Sequence, residues 1–117
     1  MSYNIYMKHE MGLQPKYFDY IKNGTKRIEL RLFDEKRQRI NIGDTIEFAN
    51  PDGEKLLVRV VGLLRYGSFE DLFRDFDISM LADASMTKRE LLEVLNGFYP
   101  LEKQNEMGVV GIRVEVL

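Results

Sequence analysis

The four residues NPDG at positions 50–53 form the feature that most constrains how this sequence folds. Pro presets one turn dihedral and Gly accepts a positive φ, so the segment predicts a tight hairpin turn. The flanking segments at 45–49 and 55–65 are rich in Val, Leu, Ile, Thr and Phe, as strands are. Gly62, inside the second segment, indicates a bulge or a bend. We therefore expect two antiparallel strands within a curved sheet.

Three more strands and three helices are predicted around this hairpin. The strands are expected at 3–8, 26–32 and 109–117, and residues 33–41 form a charged connection that can include a helical turn. The first helix spans 15–23, with Pro in its first turn and Gly24 as its stop. Ser68 and Thr87, each with an acidic residue three positions later, predict the starts of the other two. This pattern favours an α+β fold with a small mixed β-barrel; an open α+β sheet is the alternative.

Apolar stripes mark the faces that these last two helices are expected to bury. The residues recur at spacings of three and four, which is the period of an amphipathic helix. The stripes are Phe69, Leu72, Phe73 and Phe76 in one helix and Leu91, Val94, Leu95 and Phe98 in the other.

Length and composition exclude several classes of protein. The 117 residues suit one domain over 1–117, and 44% apolar with 31% charged residues is an ordinary globular balance. There is no Cys, only one His, and no run of carboxylates with ligand spacing, so neither a metal site nor a cofactor is expected. No apolar run is long enough to cross a bilayer and no secretory signal begins the chain, which favours a cytoplasmic protein without a membrane partner. The oligomeric state is left open.

Positive charge is concentrated in one part of the chain. Residues 22–39 hold seven basic and three acidic residues, a local net charge of +4, although the whole chain carries −2. Such a patch can hold a phosphate-bearing partner on one face of an acidic protein. The loop with Lys36, Arg37 and Arg39 either supplies phosphate contacts or is simply a solvated charged loop.

The candidate site lies in the segment GTKRIELR at 24–31. Gly24 and Thr25 form a turn, and the strand after it buries Ile28 and Leu30 while showing Glu29 and Arg31 on a charged outer face. Arg and Lys bind phosphate or carbonyl oxygens, and a Glu between two cations stays ionised and accepts N–H groups. Strict alternation places Lys26 on the side opposite Glu29, so we expect Lys26 to reach around the rim of the sheet.

Two further residues are candidates for contact with a ligand. His9 follows the first predicted strand and can lie at the mouth of a pocket, although a lone His is more often a hydrogen-bonded surface residue. Tyr66 lies at the end of a strand, as Tyr20 and Tyr99 lie at the ends of other elements, where a phenol ring can stack on a base.

The segment GTKRIELR also fits the signature Gly-x-Lys-x-x-Glu-x-Arg of the ASCH domain family, within the PUA-like superfamily. YFDYIKNG before it, NIGDTIEF after it and the closing GVVGIRVEVL resemble the family's first helix, strand entry and last strand. The resemblance implies a β-barrel of five to six strands with flanking helices. It also implies a cleft between barrel and helices that is lined by Lys26, Glu29 and Arg31, and a protein that binds RNA or nucleotides.

The same resemblance leaves enzymatic activity open. Small family members that hydrolyse N4-acetylcytidine use a Lys, a Thr three residues later and a Glu before the penultimate helix. Here those positions correspond to Lys26, Glu29 and the pair Asp83-Ala84, with Thr25 and Asp83 as the nearest substitutes. The alternatives are thus an RNA- or nucleotide-binding module and a small hydrolase of nucleoside or RNA substrates, ribonuclease-like activity included, in which Lys26 and Glu29 are catalytic. A purely structural or protein-interaction domain leaves the Gly-Lys-Glu-Arg segment unexplained.

Overall fold

A mixed five-stranded sheet curved into a half-barrel, with helices packed beside it, forms the fold. The computed structural model describes residues 5–117. The strands are Lys8–Gly12 (β1), Ile28–Leu32 (β2), Thr45–Ala49 (β3), Lys55–Tyr66 (β4) and Val109–Val116 (β5). The helices are Pro15–Lys22 (α1), Glu35–Gln38 (α2), Phe69–Phe73 (α3), Ile78–Leu81 (α4), Lys88–Phe98 (α5) and Leu101–Met107 (α6).

The order of strands leaves β1 and β2 as the two edges of the sheet. The order is β1-β3-β4-β5-β2, in which β1 pairs with β3 in parallel and the other three pairings are antiparallel. The predicted α+β fold, a small mixed β-barrel of five to six strands with flanking helices, is confirmed, with five strands in half-barrel form. Curvature brings the two edges towards each other, and the seam between them is where the candidate site lies.

Gly62 marks the bend of β4, as the sequence predicted. The pairing of β4 with β5 shifts register between Val60 and Gly62, which is a β-bulge. A Cβ at Gly62 would lie 3.0 Å from Cδ of Arg113, so the tight packing also favours glycine there. The bend lets the first half of β4 pack inside the half-barrel and the second half pack against the helices.

Two hydrophobic clusters result from this bend. One fills the half-barrel around Phe18, Phe48 and Ile112, and the other lies between the sheet and the helices around Phe69 and Leu91. Burial of these apolar side chains is the main stabilising contribution to the fold. Ile28 and Leu30 of β2 belong to the second cluster, and Glu29 and Arg31 leave the opposite face of the strand.

Several local predictions agree with the structure. Pro15 is the first residue of α1, and Gly24 after it has φ of 85°. The hydroxyl of Ser68 accepts a hydrogen bond from the backbone of Asp71, and Thr87 with Glu90 forms a complete capping box.

Other local predictions are wrong. The first strand is β1, and of the predicted 3–8 only Lys8 belongs to it; residues 1–4 lie outside the described residues. Helix α3 ends at Phe73, so Phe76 is not part of its stripe, and the short helices α4 and α6 were not predicted. The strand at 26–32 begins only at Ile28, which leaves Lys26 before the strand. Glu29 is buried with an exposed fraction of 5%, so the predicted charged outer face of β2 is not a solvated one.

Candidate functional site

A cavity of about 190 Å³ opens at the seam between the edge strands β1 and β2. We call it the seam cavity. It lies between the β1–α1 junction, β2 and α5. Its lining consists of Gly12, Leu13, Gln14, Tyr17, Lys26, Glu29, Leu30, Arg31, Leu91, Val94, Leu95, Phe98 and Tyr99. One end is therefore polar and charged, and the remaining walls are mostly apolar and aromatic.

Glu29 and Arg31 form an ion pair at the polar end. They lie two residues apart on β2, so both side chains leave the same face of the strand. Nε of Arg31 donates to Oε2 of Glu29 at 2.8 Å, and Nη2 of Arg31 donates to the carbonyl oxygen of Gly12 at 2.7 Å. Arg31 has five N–H groups, and these two contacts leave others for a ligand.

Lys26 lies behind this pair with its ammonium fully enclosed. The backbone N–H of Lys26 bonds to the carbonyl of Tyr20, which fixes the residue before β2 begins. Its Nζ lies 2.5 Å from the carbonyl oxygens of both Ile28 and Leu81, and 3.4 Å from Oε1 of Glu29. Three acceptors thus match the three N–H groups of an ammonium. Because Lys26 precedes the strand, the alternation of β2 does not govern it, and its side chain reaches the face that carries Glu29.

Burial and mutual charge oppose each other within this group. Burial alone raises the pKa of Glu29, but the adjacent Arg31 and Lys26 outweigh it and hold that pKa below its usual value. Burial lowers the pKa of Lys26, and the attraction of Glu29 offsets only part of this effect. Burial also acts to lower the pKa of Arg31, but Glu29 outweighs it and the net direction is upward. At the polar end of the cavity, these shifts favour the ionised form of Glu29 and the charged form of Arg31.

Aromatic residues form much of the remaining wall. Tyr17 reaches the seam cavity from α1, and Phe98 and Tyr99 reach it from the end of α5. The ring of Tyr17 lies 5.8 Å from Nζ of Lys26, in cation–π range. Phe98 has an exposed fraction of 60%, so the predicted buried stripe of α5 is wrong at this residue. In the sequence, this wall was indicated by an apolar stripe that runs on to a helix end and by the position of Tyr99 at that end.

The comparisons with known proteins support this structural assignment. A family model described as the ASCH domain matches residues 11–117, nearly the whole chain. The chain belongs to the ASCH domain family. No curated protein matches it at a significant level.

Solved structures that are similar to this ASCH domain include the following three. The crystal structure of the hypothetical protein PH0355 is 40% identical, covers 95% of this chain and 100% of its own, and has a TM-score of 0.86. The solution structure of protein PF0455 from Pyrococcus furiosus is 39% identical, with coverage of 95% and 98% and a TM-score of 0.78. An ASCH domain from Lactobacillus crispatus is 16% identical, with coverage of 95% and 79% and a TM-score of 0.70, a likeness of fold alone.

Within this ASCH domain, the other candidate residues lie away from the seam cavity. Gly24 and Thr25 form an exposed turn, where the side chain of Asn23 accepts the backbone N–H of Thr25. Nε2 of His9 lies 2.8 Å from Oδ2 of Asp44, beside the start of β1 and β3. The structure therefore brings together Lys26, Glu29 and Arg31 but not these three residues.

Tyr66 and the residues considered for hydrolysis also lie outside the seam cavity. The hydroxyl of Tyr66 donates to Asp75 at 2.5 Å, beside a shallow hollow at the far end of β4. Asp83 accepts the backbone N–H of Ser85, and neither Asp83 nor Ala84 lines the seam cavity. Tyr20 packs edge-on against Tyr17.

Two further observations concern metal binding and membrane-spanning helices. Between residues 5 and 117, no three His, Asp or Glu side chains come close enough together to hold a metal ion. No helix in the same range has the length and apolar character needed to cross a membrane.

Proposed function

We propose that this ASCH domain binds a nucleotide, or one unpaired base of an RNA strand, in the seam cavity. The observation that carries the proposal is the position of Glu29 and Arg31 at the polar end of a cavity with aromatic walls. A nucleobase has the matching form, with two apolar ring faces and a polar edge. Sequence-specific RNA recognition relies on such unpaired bases.

The volume of the cavity favours a single base. An apolar cavity of about 150 Å³ holds one benzene molecule, whereas sites for larger ligands span about 300–1,000 Å³. The seam cavity measures about 190 Å³. One base fits inside it, and the ribose and phosphate then lie at the opening.

The polar end favours a base that both donates and accepts. The carboxylate of Glu29 accepts from an amino group, and the remaining N–H groups of Arg31 donate to a carbonyl oxygen. Cytosine and guanine carry an amino group and a carbonyl oxygen, whereas adenine lacks the carbonyl and uracil lacks the amino group. We therefore expect cytosine or guanine to be preferred.

Lys26 serves this site through its charge and its contact with Glu29. Its N–H groups already have acceptors in Ile28, Leu81 and Glu29, so direct hydrogen bonds to a ligand are not its role in this arrangement. Instead, the ammonium keeps Glu29 ionised and fixes the direction of its carboxylate.

Hydrolysis has less support than binding. No Ser, Thr or Cys is among the residues that line the seam cavity, so a hydroxyl or thiol nucleophile of that kind is missing from this part of the described chain. If water were the nucleophile, Glu29 would have to be the general base. A carboxylate whose pKa is held low by two cations is a weak base.

Titration with the four ribonucleosides and with short single-stranded RNAs tests the proposal. We expect cytidine or guanosine to bind at least about tenfold more tightly than adenosine and uridine, and Glu29→Gln to remove that preference. Glu115→Gln, an exposed carboxylate on β5, is the matched control. Equal affinity for all four nucleosides, or unchanged selectivity in Glu29→Gln, contradicts the proposal. Turnover of N4-acetylcytidine that is lost in Lys26→Ala would favour the hydrolase instead.

A further inference from the structure

A second depression lies next to the seam cavity and shares one residue with it. It is an open trough of about 420 Å³ on the outer face of the sheet, between β1, β3 and α2. Gly12 lines both the trough and the seam cavity. We call this second depression the basic trough.

Small residues form the floor of the basic trough. Gly12 and Ala49 are partners in the parallel register of β1 and β3, so they lie side by side. A Cβ added at Gly12 would meet only the carbonyl oxygen of Ala49, at 4.0 Å. No long side chain therefore projects from the outer face of the sheet at this point, which leaves room for a ligand group.

Long basic side chains form the walls. Lys36 and Arg37 come from α2 and Lys55 from the start of β4, against the two carboxylates of Glu10 and Glu47. Nζ of Lys36 spans towards β1 and donates to the carbonyl oxygen of Glu10 at 2.8 Å, which leaves two of its N–H groups available.

Within the lining, three basic side chains stand against two carboxylates. Glu47 is shared by two ammonium groups, with Nζ of Lys8 at 3.0 Å and Nζ of Lys55 at 3.4 Å. Nε of Arg37 is buried and has no acceptor among the described residues, although another atom of the guanidinium contacts Asp34. A buried donor without a partner is uncommon, and Arg37 is one of the residues that line the trough.

We propose that the basic trough binds the phosphate group attached to a nucleoside whose base occupies the seam cavity. This inference rests on the proposed function, because it assumes a base in the cavity. A base in the seam cavity lies next to the trough, because Gly12 lines both depressions. The ligand is thus a nucleotide or a strand, and a free nucleoside is the weaker ligand.

Calorimetric titration of the whole chain with four probes tests this inference. The probes are cytidine, its 5′-monophosphate, its 3′-monophosphate and a single-stranded RNA of four nucleotides, with the guanosine series in parallel. We expect phosphate to tighten binding by about tenfold at low salt, and Lys36→Gln/Lys55→Gln to abolish this gain while nucleoside affinity is unchanged. A plot of the logarithm of tetranucleotide affinity against the logarithm of salt concentration should become shallower by about 0.7 for each phosphate-binding cation that the variant removes.

Arg39→Gln is the matched control, because Arg39 directly follows α2 and contacts Glu35 without lining the trough. If only the mononucleotides bind more tightly than the nucleoside, the ligand is a free nucleotide. If only the tetranucleotide does, the ligand is a strand. Either result supports the trough as the phosphate site. If the double variant keeps the gain from phosphate, or if Arg39→Gln loses as much, the trough is not the phosphate site. One pair of results would overturn the trough but not the seam cavity. In that case Glu29→Gln loses nucleoside binding, whereas the double variant still gains affinity from the phosphate group. If the wild type binds none of the probes, both proposals fail.

Discussion

Arg31 joins the two edge strands of the half-barrel by donating from Nη2 to the carbonyl oxygen of Gly12, at 2.7 Å. The same guanidinium bonds to Glu29 through Nε at 2.8 Å. One side chain therefore links β1 to β2 and also shapes the polar end of the seam cavity. A change at Arg31 should therefore affect both the stability of the fold and the proposed binding of a ligand.

Replacing Arg31 is expected to destabilise the fold strongly. Arg31→Ala removes a partner from the buried Glu29 and releases Gly12, which costs about 3–5 kcal/mol of unfolding free energy. Arg39→Ala removes an exposed ion pair with Glu35 and costs less than about 1 kcal/mol. Urea denaturation measures both, and equal midpoints for the two variants would contradict the structural role of Arg31.

Acid should destabilise the protein partly through Glu29. Its pKa in the fold is below the reference value of 4.5, so the unfolded chain binds a proton at a pH where the folded chain does not. The ionised carboxylate therefore contributes stability that is present above about pH 4.5 and is lost as the pH falls through the folded pKa. Glu29→Gln should reduce the loss of unfolding free energy between about pH 6 and pH 3. A loss as steep as that of the wild type would show that Glu29 does not carry this effect.

Replacing Phe98 tests whether the aromatic wall contributes to ligand binding, with little effect on stability. With 60% of its surface exposed, Phe98 contributes little to the core, and Phe98→Ala should leave the thermal midpoint nearly unchanged. If a base stacks on it, the variant weakens ligand binding by about 1–3 kcal/mol. Leu101→Ala, at an equally exposed apolar residue that does not line the cavity, should bind as the wild type does. Equal affinities for both variants would remove Phe98 from the site.

The pair of His9 and Asp44 is expected to act on stability alone. The buried carboxylate of Asp44 accepts from the backbone N–H groups of Met7 and Asn41 and lies 2.8 Å from Nε2 of His9. Asp44→Ala leaves these donors unpaired and should cost about 2–3 kcal/mol, with unchanged nucleoside affinity per folded molecule. A denaturation curve measures the loss of stability, and titration with a nucleoside measures the affinity. Weaker nucleoside binding in His9→Gln would instead return His9 to the site.

The fold could be predicted from the sequence where local chemistry decides the structure. The turn at 50–53, the bulge at Gly62 and the capping box at Thr87 each depend on residues close together in the chain. The first strand was placed incorrectly because β1 is defined by its parallel pairing with β3, a long-range contact. Its residues KHEMG carry little strand propensity of their own.

The candidate site could be predicted only in part. The sequence and the family signature singled out Lys26, Glu29 and Arg31, and all three line the seam cavity, although their roles stay predictions. Alternation within β2 predicted that Glu29 is solvated, because a single strand does not reveal that α5 and the β1–α1 junction cover its second face. The sequence indicated phosphate contacts from the loop with Lys36, Arg37 and Arg39 as one alternative, but it did not predict the basic trough, whose floor depends on the register that places Gly12 beside Ala49.

The seam between β1 and β2 has a mechanical consequence. Every other neighbouring pair of strands in the sheet is joined by a ladder of backbone hydrogen bonds, whereas these two edges are linked by a side chain with several rotatable bonds. Widening the entrance therefore requires a change of rotamer and leaves the secondary structure intact. If a base occupies the seam cavity as proposed, this small rearrangement is the route by which a base with an extra substituent would enter.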